Sequence, residues 1–287
     1  MAKYSIEDLY KEISTIDGYF CEKKVNGTLS EFANGLITRY CPKWQHSRIC
    51  VNYLQKASSG VINLLENLKD KNGLDYDKLS EYAILFLSYK LNQHSEQRYK
   101  SPNLNTFYIN HIEKNEYYNN MKIKDNGPTY KEIIDKKKDL MNIKEISKFN
   151  GLFSILVLLY NEIKKNNWDC TKYSEKANEF VQNFEELNDD SNINGNASYS
   201  KLLFTLSDDY NNLKNKYGND KSCNFPSLPK VKTPPSKLIP GLSVVSVIPF
   251  FLGIAYKYSL FGVDKLFQRQ YIRKKLKKVK KKLKLNI

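Results

Sequence analysis

The sequence predicts an all-α protein: a multi-helix ectodomain tied by disulfides, one C-terminal transmembrane helix and a short basic tail. Three observations lead there. Apolar residues recur at helical spacing through most of residues 1–217, and no segment offers a convincing alternating strand pattern. Residues 238–256, LIPGLSVVSVIPFFLGIAY, carry no charge. Residues 257–287 hold 12 Lys or Arg against one acid, Asp264. The expected organisation is a helical domain over 1–217, a Pro-rich stalk over 218–237, a membrane span over 238–256 and a basic cytosolic tail over 257–287.

Taken in order, Ser5-Ile6-Glu7-Asp8 has the form of a capping box, and Ile6, Leu9, Tyr10 and Ile13 follow on one helix face. A short first helix is expected. Residues 18–47 contain Gly18, Gly27, Gly35 and Pro42 without a clean period, so they read as loop-rich, pinned by Cys21 and Cys41. Over 48–69, the positions Ile49, Val51, Leu54, Ala57, Val61, Leu64, Leu65 and Leu68 line one helical face. Asn72-Gly73 ends that helix and Asp77 starts a second, with Leu79, Tyr82, Ala83, Phe86, Leu87 and Leu91 as its stripe. The two form a helical hairpin.

Ser101-Pro102 sets an N-cap before a proline at the first helical position, which predicts helix to about Tyr118. Asn126-Gly127-Pro128 is a turn, and the helix over 130–141 places Lys136, Lys137 and Lys138 on a solvated face. Residues 145–165 are hydrophobic all round at their centre, but only 13 uncharged residues separate Lys148 from Glu162. That length suits a buried central helix rather than a span. Helices over 173–187 and 200–217 complete the set, the last closed by Gly218. The polar stretch 188–197 between them, like 18–47, reads as an exposed loop able to carry binding specificity. Pro226, Pro229, Pro234 and Pro235 make 218–237 a short stiff stalk.

At about 1.5 Å per residue, a helix over 238–256 extends roughly 28 Å, close to the hydrocarbon thickness of a bilayer. Gly241, Gly253 and Pro249 are tolerated in such a helix. Lys230, Lys232 and Lys237 are the nearest charges before it, so the positive-inside rule puts the tail in the cytosol and the domain on the far side. Residues 1–12 lack the apolar core of a secretory signal, so the late segment is expected to serve as both signal and anchor. A rival topology keeps the domain in the cytosol. The formal charge of +15 is a property of the tail: taking its 12 bases and one acid from totals of 46 and 31 leaves 34 and 30, a net +4. Nucleic acid is therefore not an expected partner.

Cys21, Cys41, Cys50, Cys170 and Cys223 all fall before the span, which favours disulfides in a non-cytosolic domain. Five is odd, so one thiol is left over, and at least one bridge is expected among Cys21, Cys41 and Cys50. No Cys/His cluster at ligand spacing supports a metal site. Phosphate-binding glycine loops, HExxH and GxSxG are missing, and His46, His94 and His111 fall in separate elements. The sequence thus predicts no enzyme, no catalytic residue, no cofactor and no small-molecule substrate. Asn26-Gly27-Thr28 and Asn196-Ala197-Ser198 are glycosylation tripeptides of low specificity.

In the tail, Ile272, Leu276, Val279 and Leu283 recur at spacings of 4, 3 and 4. Lys274, Lys275, Lys278, Lys281 and Lys282 surround that stripe, the pattern of a basic amphipathic helix on an anionic leaflet. The bland alternative is a topology signal with no further role.

Several stretches carry a family resemblance: ANEFVQNFEELN at 177–188, YSKLLFTLSDDYNNLK at 199–214, CNFPSLP at 223–229, FFLGIAYKYSLFG at 250–262 and QYIRKKLKKVKKKL at 270–283. They resemble the Plasmodium interspersed repeat (PIR) variant antigens of malaria parasites, rodent-parasite type. Tyr40-Cys41-Pro42 is similar to that family's N-terminal pattern. The resemblance implies a blood-stage surface antigen with one C-terminal span, at the infected red-cell or parasite membrane, acting in antigenic variation and host-cell binding. Its implied partners are the lipid bilayer and a host-cell surface receptor or antibody. An intracellular membrane scaffold or trafficking protein, acting through the cationic tail, is the alternative.

Overall fold

A computed structural model describes residues 5–25, 28–69, 73, 75–94, 104–141, 144–162, 169–218 and 223–233. The chain divides into two compact units, Met1–Pro234 and Pro235–Ile287, and all described residues belong to the first. The span at 238–256, the tail with Lys274, Lys275, Lys278, Lys281 and Lys282, and the Ser101-Pro102 cap lie outside the described residues.

Helix α1 (Ile6–Asp17) starts at Ser5, whose hydroxyl oxygen accepts the Asp8 backbone N–H at 3.2 Å and donates to the Asp8 carboxylate at 2.8 Å. The next segment departs from the loop-rich, all-helical expectation. Strands β1 (Phe20–Val25) and β2 (Thr28–Ala33) pair antiparallel from Phe20↔Ala33 to Val25↔Thr28. Asn26-Gly27 between them is a strong hairpin signal that a search for glycosylation tripeptides passes over. A short α2 (Gly35–Thr38) follows, then a second small hairpin of β3 (Lys43–Trp44) and β4 (Ser47–Arg48). Gln45 turns it with φ 53°.

Helix α3 (Tyr53–Leu68) begins later than the apolar period suggests, because Asn52 caps it by accepting the Gln55 N–H at 2.9 Å. Ile49 and Val51 consequently fall outside the helix and are exposed. Helix α4 (Tyr76–Gln93), capped by Asp75, packs against α3 as the second arm of the expected hairpin. The single helix expected to end near Tyr118 is instead α5 (Leu104–Phe107), a π-helical turn over Tyr108–Glu113 and α6 (Glu116–Asn120). Asn115 breaks it by accepting the Tyr117 N–H and capping α6. Thr129 and Glu132 form a reciprocal capping box for α7 (Tyr130–Asp135), and α8 (Lys138–Met141) continues after a turn.

A 3-10 segment, Lys144–Phe149, leads into α9 (Asn150–Glu162), which packs against α1, α4, α10 and α12. Leu152, Phe153, Leu156 and Leu159 are fully buried, which is why this stretch reads hydrophobic all round. No helix among the described residues is long and apolar enough to cross a membrane. Helix α10 (Cys170–Asp189) is capped by Asp169, α11 (Ser191–Asn194) by Asp190 and α12 (Ala197–Leu213) by Asn196. A π-helical turn, Lys214–Gly218, closes α12. The stretch 188–197 is therefore no free loop: Asn188 and Ile193 are buried.

The proposed stalk is corrected in the same way. Residues 223–233 run extended along the domain as a strap, with Cys223 and Phe225 buried. Tyr210 Oη donates to the Pro226 carbonyl at 2.9 Å, and the Asn188 side-chain amide donates from Nδ2 to the Lys230 carbonyl (2.9 Å) and accepts the Lys232 N–H at Oδ1 (2.7 Å). Pro226, Pro229 and an extended backbone suit such a strap because it needs no regular hydrogen-bond partner of its own.

Candidate interaction surface

Of the five cysteines, Cys41 joins Cys50 across a Cα–Cα distance of 4.9 Å, and Cys170 joins Cys223 at 4.8 Å. Cys41 thus pairs with Cys50 and does not pin the segment together with Cys21, whose backbone lies on β1 opposite Phe32. The Cys41–Cys50 bridge closes the β3–β4 hairpin. Beneath it, the Arg48 guanidinium sits 4.8 Å above the Tyr117 ring and Tyr40 meets Tyr117 edge-on at 5.4 Å. Tyr40 Oη, Arg48 Nη1 and Tyr117 Oη are buried without a hydrogen-bond partner among the described residues, and ring packing and cation–π contact hold this corner. The flanking Leu36, Ile49 and Val51 are exposed, Val51 by 69%.

The second bridge ties the strap to the start of α10, and a groove of about 710 Å³ opens between strap and α12. Phe204 on α12 and Leu228, Pro229 and Val231 on the strap give it apolar walls, with Lys201, Asp208 and Lys230 among them. Phe204 is 56% exposed, the largest apolar side chain left open on α12. It sits off the helix's core stripe, where Leu203, Leu206 and Tyr210 are buried, and no motif in the sequence marks it.

A strongly perturbed carboxyl lies inside the domain. Asp209 is buried and accepts the Tyr10 and Tyr82 hydroxyls, and Tyr160 donates to its backbone carbonyl at 2.8 Å. Burial pushes its carboxyl up to about 7, against the pull of the two phenols and Lys78. All its partners are structural side chains from α1, α4 and α9, so the cluster locks helices together. The histidines do not converge: His94 is buried edge-on to Tyr53 at 4.3 Å, His111 is half-buried with its pKa lowered by burial, and His46 is exposed in the β3–β4 turn. Among the described residues, no group of three or more His, Cys, Asp or Glu is placed to hold a metal ion.

A family model described as "Plasmodium variant antigen protein Cir/Yir/Bir" matches residues 10–257. The chain belongs to the Plasmodium Cir/Yir/Bir, or PIR, variant antigens. A solved structure titled "Structure of a Plasmodium PIR protein ectodomain" is 32% identical, with a TM-score of 0.56, and the alignment covers 79% of this chain and all of that one. No curated protein matches. The PIR match runs past the strap and through the apolar segment to Lys257. The two exposed apolar regions, around Cys41–Cys50 and along α12 and the strap, are the domain's candidate contact surfaces.

Proposed function

We propose that this PIR antigen is anchored by residues 238–256 with its helical domain on the non-cytosolic side of an infected red-cell or parasite membrane. There it acts in antigenic variation and binds a host-cell receptor or antibody. The observation that carries the reading is the pair of disulfides within the domain, Cys41–Cys50 and Cys170–Cys223, because such bridges persist in oxidising compartments and are rare in cytosol. Charge asymmetry about the uncharged segment supports the same orientation. The exposed Leu36, Ile49 and Val51 are suited to a protein partner: Ile49 lies inside the loop closed by Cys41–Cys50, Val51 next to it and Leu36 on α2, so little is left to order on binding. The domain's role is recognition, not catalysis. An epitope inserted after Lys69, at the end of α3, tests the placement: protease added to intact infected cells is expected to remove it. An epitope that protease never reaches in intact cells but does reach after lysis rejects the surface reading.

A further inference from the structure

We propose that the face formed by α12 and the strap rests on the lipid headgroups of the bilayer that holds the chain. The inference builds on the membrane-span reading and adds which face of the domain meets lipid. Thr233, the last described residue, lines the groove itself, and Leu238 begins the uncharged segment. Five peptide units separate them, so the two lie no more than about 18 Å apart even when the chain is fully extended. Roughly 5–8 Å of that reach is used in crossing the headgroup layer, taken as half the difference between the total and the hydrocarbon thickness of a bilayer.

The Thr233 end of the groove is thus held within about 10–13 Å of the lipid surface by the covalent chain. The docked strap, fixed by Cys170–Cys223 and by the two Asn188 hydrogen bonds, leaves little slack to carry it farther. Its side chains suit that position. Phe204 is an exposed aromatic ring that lines the groove together with Leu228 and Val231, and Lys201 and Lys230 are exposed ammonium groups that form no ion pair among the described residues. Aromatic rings and lysines are the residues that partition to the headgroup region, the ring into its apolar part and the ammonium to phosphate. Asp208 is the one acid in the groove, which leaves the two lysines in excess.

The test uses the full chain reconstituted in phosphatidylcholine vesicles, with Phe204→Trp and, on a residue that lines no part of the groove, Val51→Trp. Emission is read as the difference from the wild-type chain, which carries Trp44 and Trp168. The expected result is that phosphatidylcholine brominated in the upper acyl chain quenches the Trp at position 204 and shifts its emission to the blue, while the Trp at 51 remains open to aqueous iodide. If the Trp at 204 is quenched by iodide and not by brominated lipid in protein that floats with the vesicles, the face is turned to water and awaits a protein partner instead. That outcome overturns the proposal and leaves the anchor intact. Equal lipid quenching at 204 and 51 also overturns it, because no particular face is then selected. Release of the wild-type chain by alkaline carbonate defeats the anchor reading itself.

Discussion

Tyr10 on α1 and Asp209 on α12, 199 residues apart in sequence, are joined by a 2.8 Å hydrogen bond. The same carboxylate takes the Tyr82 hydroxyl of α4 at 2.7 and 2.9 Å, and Tyr10 stacks on Tyr160 of α9 with ring centroids 4.5 Å apart. One buried acid therefore ties the first and last helices to the two central ones. Burial, with the Asp209 carboxylate next in importance, holds the Tyr10 hydroxyl well above the usual phenol range, so it stays a donor at any physiological pH.

The Asp209 carboxyl gives the domain a specific pH dependence. Folded, it titrates at about 7, and unfolded near its ordinary 3.8, so between those values the folded chain holds a proton that the unfolded chain has lost. Its contribution to stability is full below about pH 4 and is lost as pH rises through about 7, with an upper bound of roughly 4 kcal/mol. Urea denaturation from pH 4 to 8 is expected to show the wild-type domain losing stability relative to Asp209→Asn as pH rises. Parallel curves for the two proteins would sink the assignment.

The strap makes a second prediction. Cys170–Cys223 spans 53 residues and Cys41–Cys50 spans 9, so the first restricts the unfolded chain more. Replacing both cysteines of a pair by Ser should cost about 4 kcal/mol for the long loop and about 3 kcal/mol for the short one. Loss of the long bridge should also speed hydrogen exchange at Lys232, whose amide is held by Asn188, while α9 stays protected. Gly218→Ala probes the same contact with the bridge intact. Its Cβ would come within 2.7–2.9 Å of Phe225 Cγ, Cβ and Cδ2, close to the strap backbone, and overpacking of this kind costs about 1–3 kcal/mol. Unchanged exchange at Lys232 in both variants would mean that the strap is held elsewhere.

Three adjacent lysines divide into different roles, although a charge run normally reads as a solvated face. Lys137 reaches the buried Glu81 at 3.0 Å, and Glu81 also accepts the Thr205 hydroxyl at 2.8 Å. Lys136 pairs with the half-exposed Asp77 at 3.4 Å, and Lys138 lies 3.8 Å above the Tyr108 ring. Lys137→Met strands a carboxylate in the core and should cost about 3 kcal/mol, because breaking one side of a buried pair leaves an uncompensated charge. Lys136→Met should fall within about 0.5 kcal/mol of wild type, as surface pairs do. Thermal denaturation that ranks the two variants equally would refute the division.

That difference shows where the sequence stops being legible. Helical stripes in α3, α4 and α10 stand out because local periodicity encodes them. Their first turns do not, since Asn52, Asp75 and Asp169 act as caps outside the apolar pattern. Asp208 and Asp209 are neighbours of the same type; Asp209 is buried because it falls on the Leu202–Leu206–Leu213 face of α12 and Asp208 does not, but that face alone does not say what partners a buried acid finds. Those partners, Tyr10 and Tyr82, come from far away in sequence. Phe204 and the groove are hidden for the same reason: an exposed aromatic on a helix acquires meaning only once residues 223–233 dock beside it. The disulfide partners likewise follow from the path of the chain, not from cysteine spacing.

The tail calls for a prediction of its own, because its lysines serve either as a surface-binding helix or as a topology signal alone. If residues 273–284 lie on the cytosolic leaflet, replacing Lys274, Lys275, Lys278, Lys281 and Lys282 by Gln removes five charges from an anionic surface. At about 1 kcal/mol per charge, binding of the tail peptide to anionic vesicles should fall by several powers of ten at low salt. The loss should be smaller at physiological salt, where the screening length is about 8 Å. The full chain should stay in the membrane, since an apolar span does not depend on surface charge. A tail that only sets topology gives another result: the substitutions invert or scramble orientation in cells, while the isolated peptide has no binding to lose. Co-sedimentation of wild-type and Gln peptides at two salt concentrations separates these outcomes, and equally weak binding by both would end the leaflet-binding idea.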